Sequence, residues 1–175
     1  MPGMTRLIAG LSLALFASAG LQAQNPQSND VRSVFGNVKK FVLASAEKMP
    51  EEHYSFQPTP DVRTFAALLG HIADANYSFC AAAKPAKRPE AQVEKSMKTK
   101  AELTQALKEA FAFCDAAYDA LTDANGAEMV KFFGRDRTRA GTLNFNNAHS
   151  YEHYGNLVTY MRIKGLVPPS SEGRR

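Results

Sequence analysis

Two histidines, His149 and His153, stand four residues apart in the string His149-Ser150-Tyr151-Glu152-His153, shortly before the chain ends. On a helix that spacing puts both imidazoles on one face, one turn apart. Side chains placed this way can share one metal ion. Neutral imidazole is the commonest protein ligand for zinc, and it also suits nickel, iron and copper. A third histidine, His71, lies far upstream in another strongly helical segment. Supplied from a facing helix, it would complete a three-histidine set with an open coordination position, as in some catalytic zinc sites. The expected metal ligands are therefore His71, His149 and His153. The expected cofactor is a divalent metal, zinc or nickel, because three nitrogen ligands do not fix the ion.

Competing readings of the same residues are weaker. The string also matches H-x-x-E-H, in which Glu152 would act as a general base. That motif needs a further acidic ligand well downstream, and only Glu172 remains, in a tail after Pro168-Pro169. A protease is disfavoured on that ground. His53, the fourth histidine, sits in a proline-bearing loop and reads as a surface or packing residue. The bland alternative for the other three is a set of separate, hydrogen-bonded histidines on helix surfaces.

The elements that would carry these histidines are legible as helices. From Asp30, Val31, Val34, Phe35, Val38, Phe41 and Val42 recur at mostly three- and four-residue intervals, a helical stripe that continues to about Met49. Pro50 ends it, and Glu51 to Asp61, with Pro58 and Pro60, reads as an ordered loop. Thr64 can cap a second helix with its stripe at Phe65, Leu68, Leu69, Ile72 and Phe79, ending near Ala83. Lys84 to Lys98 holds Pro85 and Pro89, shows no periodicity, and reads as a long connection. Thr99 and Glu102 form a capping box for a third helix that stops before Gly126. Ala127 to Gly141 reads as irregular, with basic residues at Lys131, Arg135, Arg137 and Arg139. Thr142 can cap a fourth helix running to about Lys164, with Gly165 as its stop and Pro168-Pro169 forbidding continuation. Four long helices and no sustained period-two alternation predict an all-α fold, a four-helix bundle.

The first residues have another character. Arg6 is followed by an apolar run from Leu7 to Phe16 and then by small residues, the pattern of a secretory signal peptide. The run is short for a bilayer span, which needs about 20 residues. The expected organisation is a signal peptide over 1–23 with cleavage after Ala23, a polar leader over 24–29, the bundle over 30–169 and a flexible tail over 170–175. The expected location is periplasmic or extracellular, with no membrane anchor after cleavage. The formal net charge of +4 is mild, and Lys and Arg are interspersed with acids. No aromatic residues interleave with a dense basic patch, so no nucleic-acid partner is expected. The remaining expectation is a small-molecule ligand or substrate of unknown identity, with room for a homodimer.

Several segments together carry a resemblance. Glu152-His153-Tyr154-Gly155-Asn156, Tyr160-Met161-Arg162 and Gly165-Leu166-Val167-Pro168-Pro169 resemble the closing segment of the DinB-like family. Gln57-Pro58-Thr59-Pro60-Asp61-Val62-Arg63-Thr64-Phe65 and Leu69-Gly70-His71-Ile72-Ala73-Asp74-Ala75-Asn76 resemble its second helix and the loop before it. The resemblance implies up-down-down-up topology and a divalent metal held by one histidine on the second helix and two on the fourth. These positions fall on His71, His149 and His153. It assigns Gly155, Tyr160 and Arg162 to packing and helix ending, and leaves Asp74 and Glu152 as candidate orienting partners of the imidazoles. Some members of the family are metal-dependent transferases or isomerases that use small thiols such as bacillithiol or mycothiol. An exported member would be separated from thiols of that kind, which leaves a metal-dependent transferase or hydrolase, or a bundle that binds metal or ligand without turnover.

The two cysteines depend on that topology. Cys80 lies about 24 Å along the second helix from Thr64, and Cys114 about 22 Å along the third from Thr99. Parallel helices, as the resemblance implies, would match these depths and allow a bridge where the helices touch. Antiparallel helices would separate the cysteines by more than a turn. Two buried, inert thiols are the alternative.

Overall fold

The computed structural model describes residues 25–173, so the expected signal peptide lies outside the described residues. Four long helices dominate: α1 (Pro26–Lys48), α2 (Phe65–Ala83), α4 (Lys100–Asp119) and α6 (Arg139–Ile163). Two single-turn helices, α3 (Val93–Ser96) and α5 (Asp123–Gly126), interrupt the connections. A two-stranded antiparallel hairpin, β1 (Met129–Phe132) and β2 (Arg135–Thr138), leads into α6. The fold is thus mostly helical, as predicted, with a small strand pair that was not. No helix among the described residues is long and apolar enough to cross a membrane.

Caps explain where the helices begin. Thr64 accepts a hydrogen bond from the Ala67 amide at 3.1 Å, and Thr99 and Glu102 form the expected capping box. α1 starts at Pro26, four residues earlier than its apolar stripe suggests. Proline is well suited to the first turn, where its missing N–H would have no helical partner. The orphan amide of Ser28 donates to the Asp123 carboxylate at 2.8 Å, so an acid distant in sequence supplies the cap. α6 starts at Arg139 because Thr138, not Thr142, accepts from the Gly141 amide at 3.0 Å. Thr142 is buried in the first turn, with its hydroxyl donating to the Thr138 carbonyl. At the far end Gly165, with φ +73°, allows Leu166 to donate to the Met161 carbonyl and Gly165 to the Arg162 carbonyl, a Schellman closure.

The expectation of an irregular Ala127–Gly141 segment is corrected by the hairpin. Its register pairs Phe132 with Arg135 across a two-residue turn, Phe133-Gly134. Both turn residues have positive φ, 49° and 74°, the pattern of a type I′ turn. A phenylalanine in the left-handed region costs about 1–2 kcal/mol relative to glycine.

The ends of the helices show how they pack. Lys100, at the start of α4, donates to the carbonyls of Glu47 and Met49 at the end of α1. Arg32, in α1, returns the arrangement by donating to the Tyr118 and Leu121 carbonyls at the end of α4. Tyr160, late in α6, donates to the Arg63 carbonyl just before α2. The buried core between the helices includes Phe35, Val38, Leu69, Ile72, Leu107, Phe111 and Leu157, and Phe35 stacks on Tyr118 with ring centroids 3.8 Å apart.

Cys80 of α2 and Cys114 of α4 form a disulfide, with Cα atoms 5.2 Å apart, so the two helices carry them at matching depth. The bridge spans a sequence separation of 34. On chain-entropy grounds a loop of that size stabilises the fold by about 3–4 kcal/mol. Replacing both cysteines (C80A with C114A) is expected to lower urea stability by about 2–4 kcal/mol. Thiol counting of the denatured, non-reduced protein should find no free thiol, and two after reduction; two free thiols at the outset would remove the bridge from the account.

Candidate metal centre

His71 lies in the second turn of α2, and His149 and His153 lie on successive turns of α6. The fold brings the three together. Nε2 of His149 is 3.2 Å from Nε2 of His71 and 3.1 Å from Nε2 of His153. One candidate ligand atom from each lies within 4.8 Å of the others. His153 is buried, while His71 and His149 are partly exposed. His53, in the short turn Glu51–His53, stands apart from this group, as the sequence suggested.

The donor set fits a cation. The Glu94 carboxylate lies 3.0 Å from Nδ1 of His71. Burial pushes the Glu94 pKa up, but hydrogen bonds and charge from Arg63 and His71 outweigh it and hold the group below the usual range. An ionised carboxylate only accepts, so His71 carries its proton on Nδ1 and presents a lone pair at Nε2. His149 Nε2 has two imidazole nitrogens as neighbours, and a single proton can serve only one of them. Ligand nitrogens 2.0–2.1 Å from a metal would lie about 2.8–3.4 Å apart for angles from a right angle to tetrahedral. The spacings of 3.1 and 3.2 Å fall in that range.

The surroundings favour unprotonated imidazoles. Burial, then the charges of His153, His71 and Arg63, pushes His149 down to about 4. Burial, then His71, also lowers His153, with Glu152 and Glu94 opposing. The Asn156 amide nitrogen approaches Nδ1 of His153 at 3.4 Å. A His153 that ligates through Nε2 carries its proton on Nδ1, which Asn156 would meet by turning its amide oxygen inward. Nδ1 of His149 is buried without a hydrogen-bond partner, and Phe79 packs edge-to-face on its ring at 5.1 Å.

Glu94 is the partner that the sequence did not reveal. It belongs to the connection Lys84–Lys98, which carries no helical period and no motif. The two anticipated acids act elsewhere. Asp74 accepts from the Val93 and Glu94 amides at 3.0 and 3.1 Å, so it fixes the backbone that presents Glu94 and does not touch an imidazole. Glu152 is exposed, and Glu172 pairs with Lys48 at the end of α1. Neither is placed for the protease reading. Gly70 makes the approach of α3 feasible, because a Cβ there would meet Glu94 Cα at 2.6 Å and Glu94 N at 2.8 Å. Arg63 completes the arrangement through Nε, 2.8 Å from the second Glu94 oxygen.

The family model of the DinB superfamily matches residues 40–157. The chain belongs to the DinB superfamily. YjoA of Bacillus subtilis (strain 168), an uncharacterised protein, is 27% identical over 142 residues, covering 79% of this chain and 92% of YjoA. A DinB-like protein from Bacillus cereus ATCC 10987 superposes on this DinB-superfamily fold with a TM-score of 0.70 at 18% identity, over 81% of this chain and 95% of that one. A mycothiol-dependent maleylpyruvate isomerase superposes with a TM-score of 0.61 at 14% identity, over 74% of this chain and 60% of its own. These structural likenesses show a shared fold.

Two outcomes follow from the centre. In metal-free protein, His149 binds its proton near pH 4 when folded and near 6.5 when unfolded. Between those values the unfolded chain holds more protons, so stability falls as pH drops from 6.5 towards 4 and levels off below. Urea midpoints across that window should show the loss in wild type and a shallower slope in His149→Gln; equal slopes would remove His149 as the cause. Gly70→Ala should push Glu94 off His71 and weaken zinc affinity about 10–100-fold. Competition with a chelator measures this, and unchanged affinity would sink the role given to Glu94.

Proposed function

We propose that this chain is an exported metal-dependent enzyme, a transferase or hydrolase acting on a small molecule, with a divalent ion held by His71, His149 and His153. The observation that carries the reading is the convergence of three Nε2 atoms, one with its tautomer set by a carboxylate. A divalent ion held there supplies Lewis-acid activation of a water or a thiol. The chain's own residues prepare the site. Glu94 keeps the Nδ1 proton of His71 and so leaves Nε2 free to ligate. Arg63 holds Glu94 ionised, and burial keeps His149 and His153 neutral. His71 keeps a quarter of its side chain exposed, which gives a small molecule a way in.

The finer parts of the proposal have their own support. An up-down-down-up order of α1, α2, α4 and α6 is supported by which helix ends meet and by the matched depth of Cys80 and Cys114. Export, with a signal peptide over 1–23, is supported by the Arg6–Phe16 pattern and by a disulfide, which persists in oxidising compartments. Zinc or nickel remains the expected ion. Enzymatic use is supported by a relative of the same fold that is, by its name, an isomerase.

Metal analysis of purified mature protein tests the centre. About one zinc or nickel per chain is expected, and saturating metal should raise the melting temperature, by about 2.7 kcal/mol of stabilisation at a hundredfold excess over Kd. His149→Ala or His153→Ala should abolish most of that gain, while His53→Ala should keep it. Protein that carries no divalent metal, and that none stabilises at neutral pH, would defeat the proposal. A screen of the loaded protein with electrophile–thiol pairs, esters and amides then distinguishes transferase from hydrolase.

A further inference from the structure

One side of the histidine cluster is charged, at Arg63 and Glu94. The other is aromatic. Phe145 lies one turn before His149 on α6, and Phe79 lies two turns beyond His71 on α2. The Phe79 ring centroid is 5.1 Å from His149, 5.4 Å from Phe145, 5.1 Å from Phe132 and 6.0 Å from Phe133. Phe79 and Phe132 are buried in a small cluster separate from the main core, whereas Phe145 is 37% exposed and Phe133 is 75% exposed. The four rings therefore form a shelf that runs from a metal ligand out to solvent.

Stability does not explain the exposed end of this shelf. Phe133 occupies a left-handed turn position that asparagine or glycine fills with less strain, and its exposure means that its burial stabilises little. It leans on Phe132, with centroids 4.3 Å apart, and does not stand away from the hairpin as an inserting tip would. Beside the rings, the Arg137 guanidinium lies 4.9 Å from the Phe145 centroid and 5.8 Å from that of Phe132. Its neighbours are neutralised, Lys131 by Asp136 and Arg139 by Glu128. Arg137 has no acidic partner among the described residues. A guanidinium lying over aromatic rings, with its charge uncompensated, matches a carboxylate.

We propose that Phe79, Phe132, Phe133 and Phe145, with Arg137, form the substrate-recognition wall of the centre, and that it takes a small aromatic carboxylate. The exposed Phe133 and Phe145 rings contact the flat apolar body, Phe79 and Phe132 back them from beneath, Arg137 binds the anionic group, and the histidine cluster lies next to the bound molecule. This inference rests on the metal-dependent reading above for the use made of the bound molecule.

The test uses the full mature chain loaded with zinc. Calorimetric titration with 2-naphthoate should show binding. Phe133→Asn should weaken it about tenfold or more, as expected for a lost aromatic contact, while zinc content stays the same and the melting temperature is unchanged or higher. A merely structural Phe133 would give the opposite: a lower melting temperature and unchanged affinity. Arg137→Gln should weaken 2-naphthoate but leave the neutral 2-naphthamide unaffected. Absence of naphthoate binding by zinc-loaded wild type, or unchanged affinity in Phe133→Asn, overturns the wall without touching the metal centre; failure to load zinc shows the converse. If Phe133→Asn instead converts a dimer to a monomer, or abolishes pelleting with phosphatidylglycerol vesicles, with no loss of naphthoate affinity, the shelf belongs to a second copy or a lipid surface and the proposal fails.

Discussion

A buried chain of amides and one phenol holds the four long helices in register. Asn146 of α6 donates to the Asn76 side chain of α2 at 3.1 Å and to the Tyr118 hydroxyl of α4 at 3.1 Å. Tyr118 donates to Asn147 at 2.8 Å, and Asn147 in turn donates to the Val31 carbonyl of α1 at 3.0 Å. Burial drives the Tyr118 pKa upward, so the phenol remains a donor. An unpaired buried amide costs about 1–3 kcal/mol, so a one-residue slip of α6, which would break several of these bonds, is strongly disfavoured. Asn146, His149 and His153 fall at i, i+3 and i+7 on one face of α6. The network that fixes Asn146 therefore also fixes where the imidazoles of α6 meet His71. One group is left over, the buried Asn146 oxygen, and it has no partner.

Local devices then shape the two sides of the centre differently. On one side the absence of a side chain at Gly70 lets a single helical turn lie against α2, and Asp74 pins that turn so that Glu94 reaches His71. On the other side a tight hairpin swings Phe132 and Phe133 over Phe79. The first device sets which ring nitrogen of His71 faces the other two histidines. The second sets what can lie beside the ligands. The single turn on the first side is anchored in the main core by the buried Val93, whereas the hairpin side packs in a small cluster of its own.

This division explains what the sequence disclosed. The helical stripes, the Thr64 and Thr99 caps, the Gly165 stop and the His149–His153 pair each rest on residues close together in the chain, where spacing determines geometry, while His71, 78 positions from His149, joined them through the family resemblance. The start of α1 was not so disclosed, because the group that satisfies its first turn is Asp123, separated from Ser28 by 95 positions. The hairpin was hidden for another reason. Its strands have four residues each, β2 is Arg-Asp-Arg-Thr with no apolar alternation, and its turn is Phe-Gly where Asn-Gly would have signalled it. Thr138 and Thr142 are both chemically fit to cap α6, and only the strand ending at Thr138 decides between them. Glu94 lay in a connection without period or motif, so only its packing against Gly70 shows its role.

The handling of sulfur and nitrogen links the site to the proposed compartment. Thiolate ligands bind zinc tightly, but in an oxidising environment they are open to loss as disulfides. Here both cysteines are already joined to each other and are almost wholly buried, at 1% and 0% exposure, so neither is available to compete for a metal ion. Imidazoles do not form disulfides, and an all-imidazole set therefore survives a change of redox conditions that would dismantle a thiolate site. Such a set responds to acid instead, because protonation removes the lone pairs that ligate. Burial counters this by pushing His149 and His153 below the usual histidine range. The same packing that partly shields these imidazoles from water thus widens the pH range over which they keep the lone pairs that a metal ion would need.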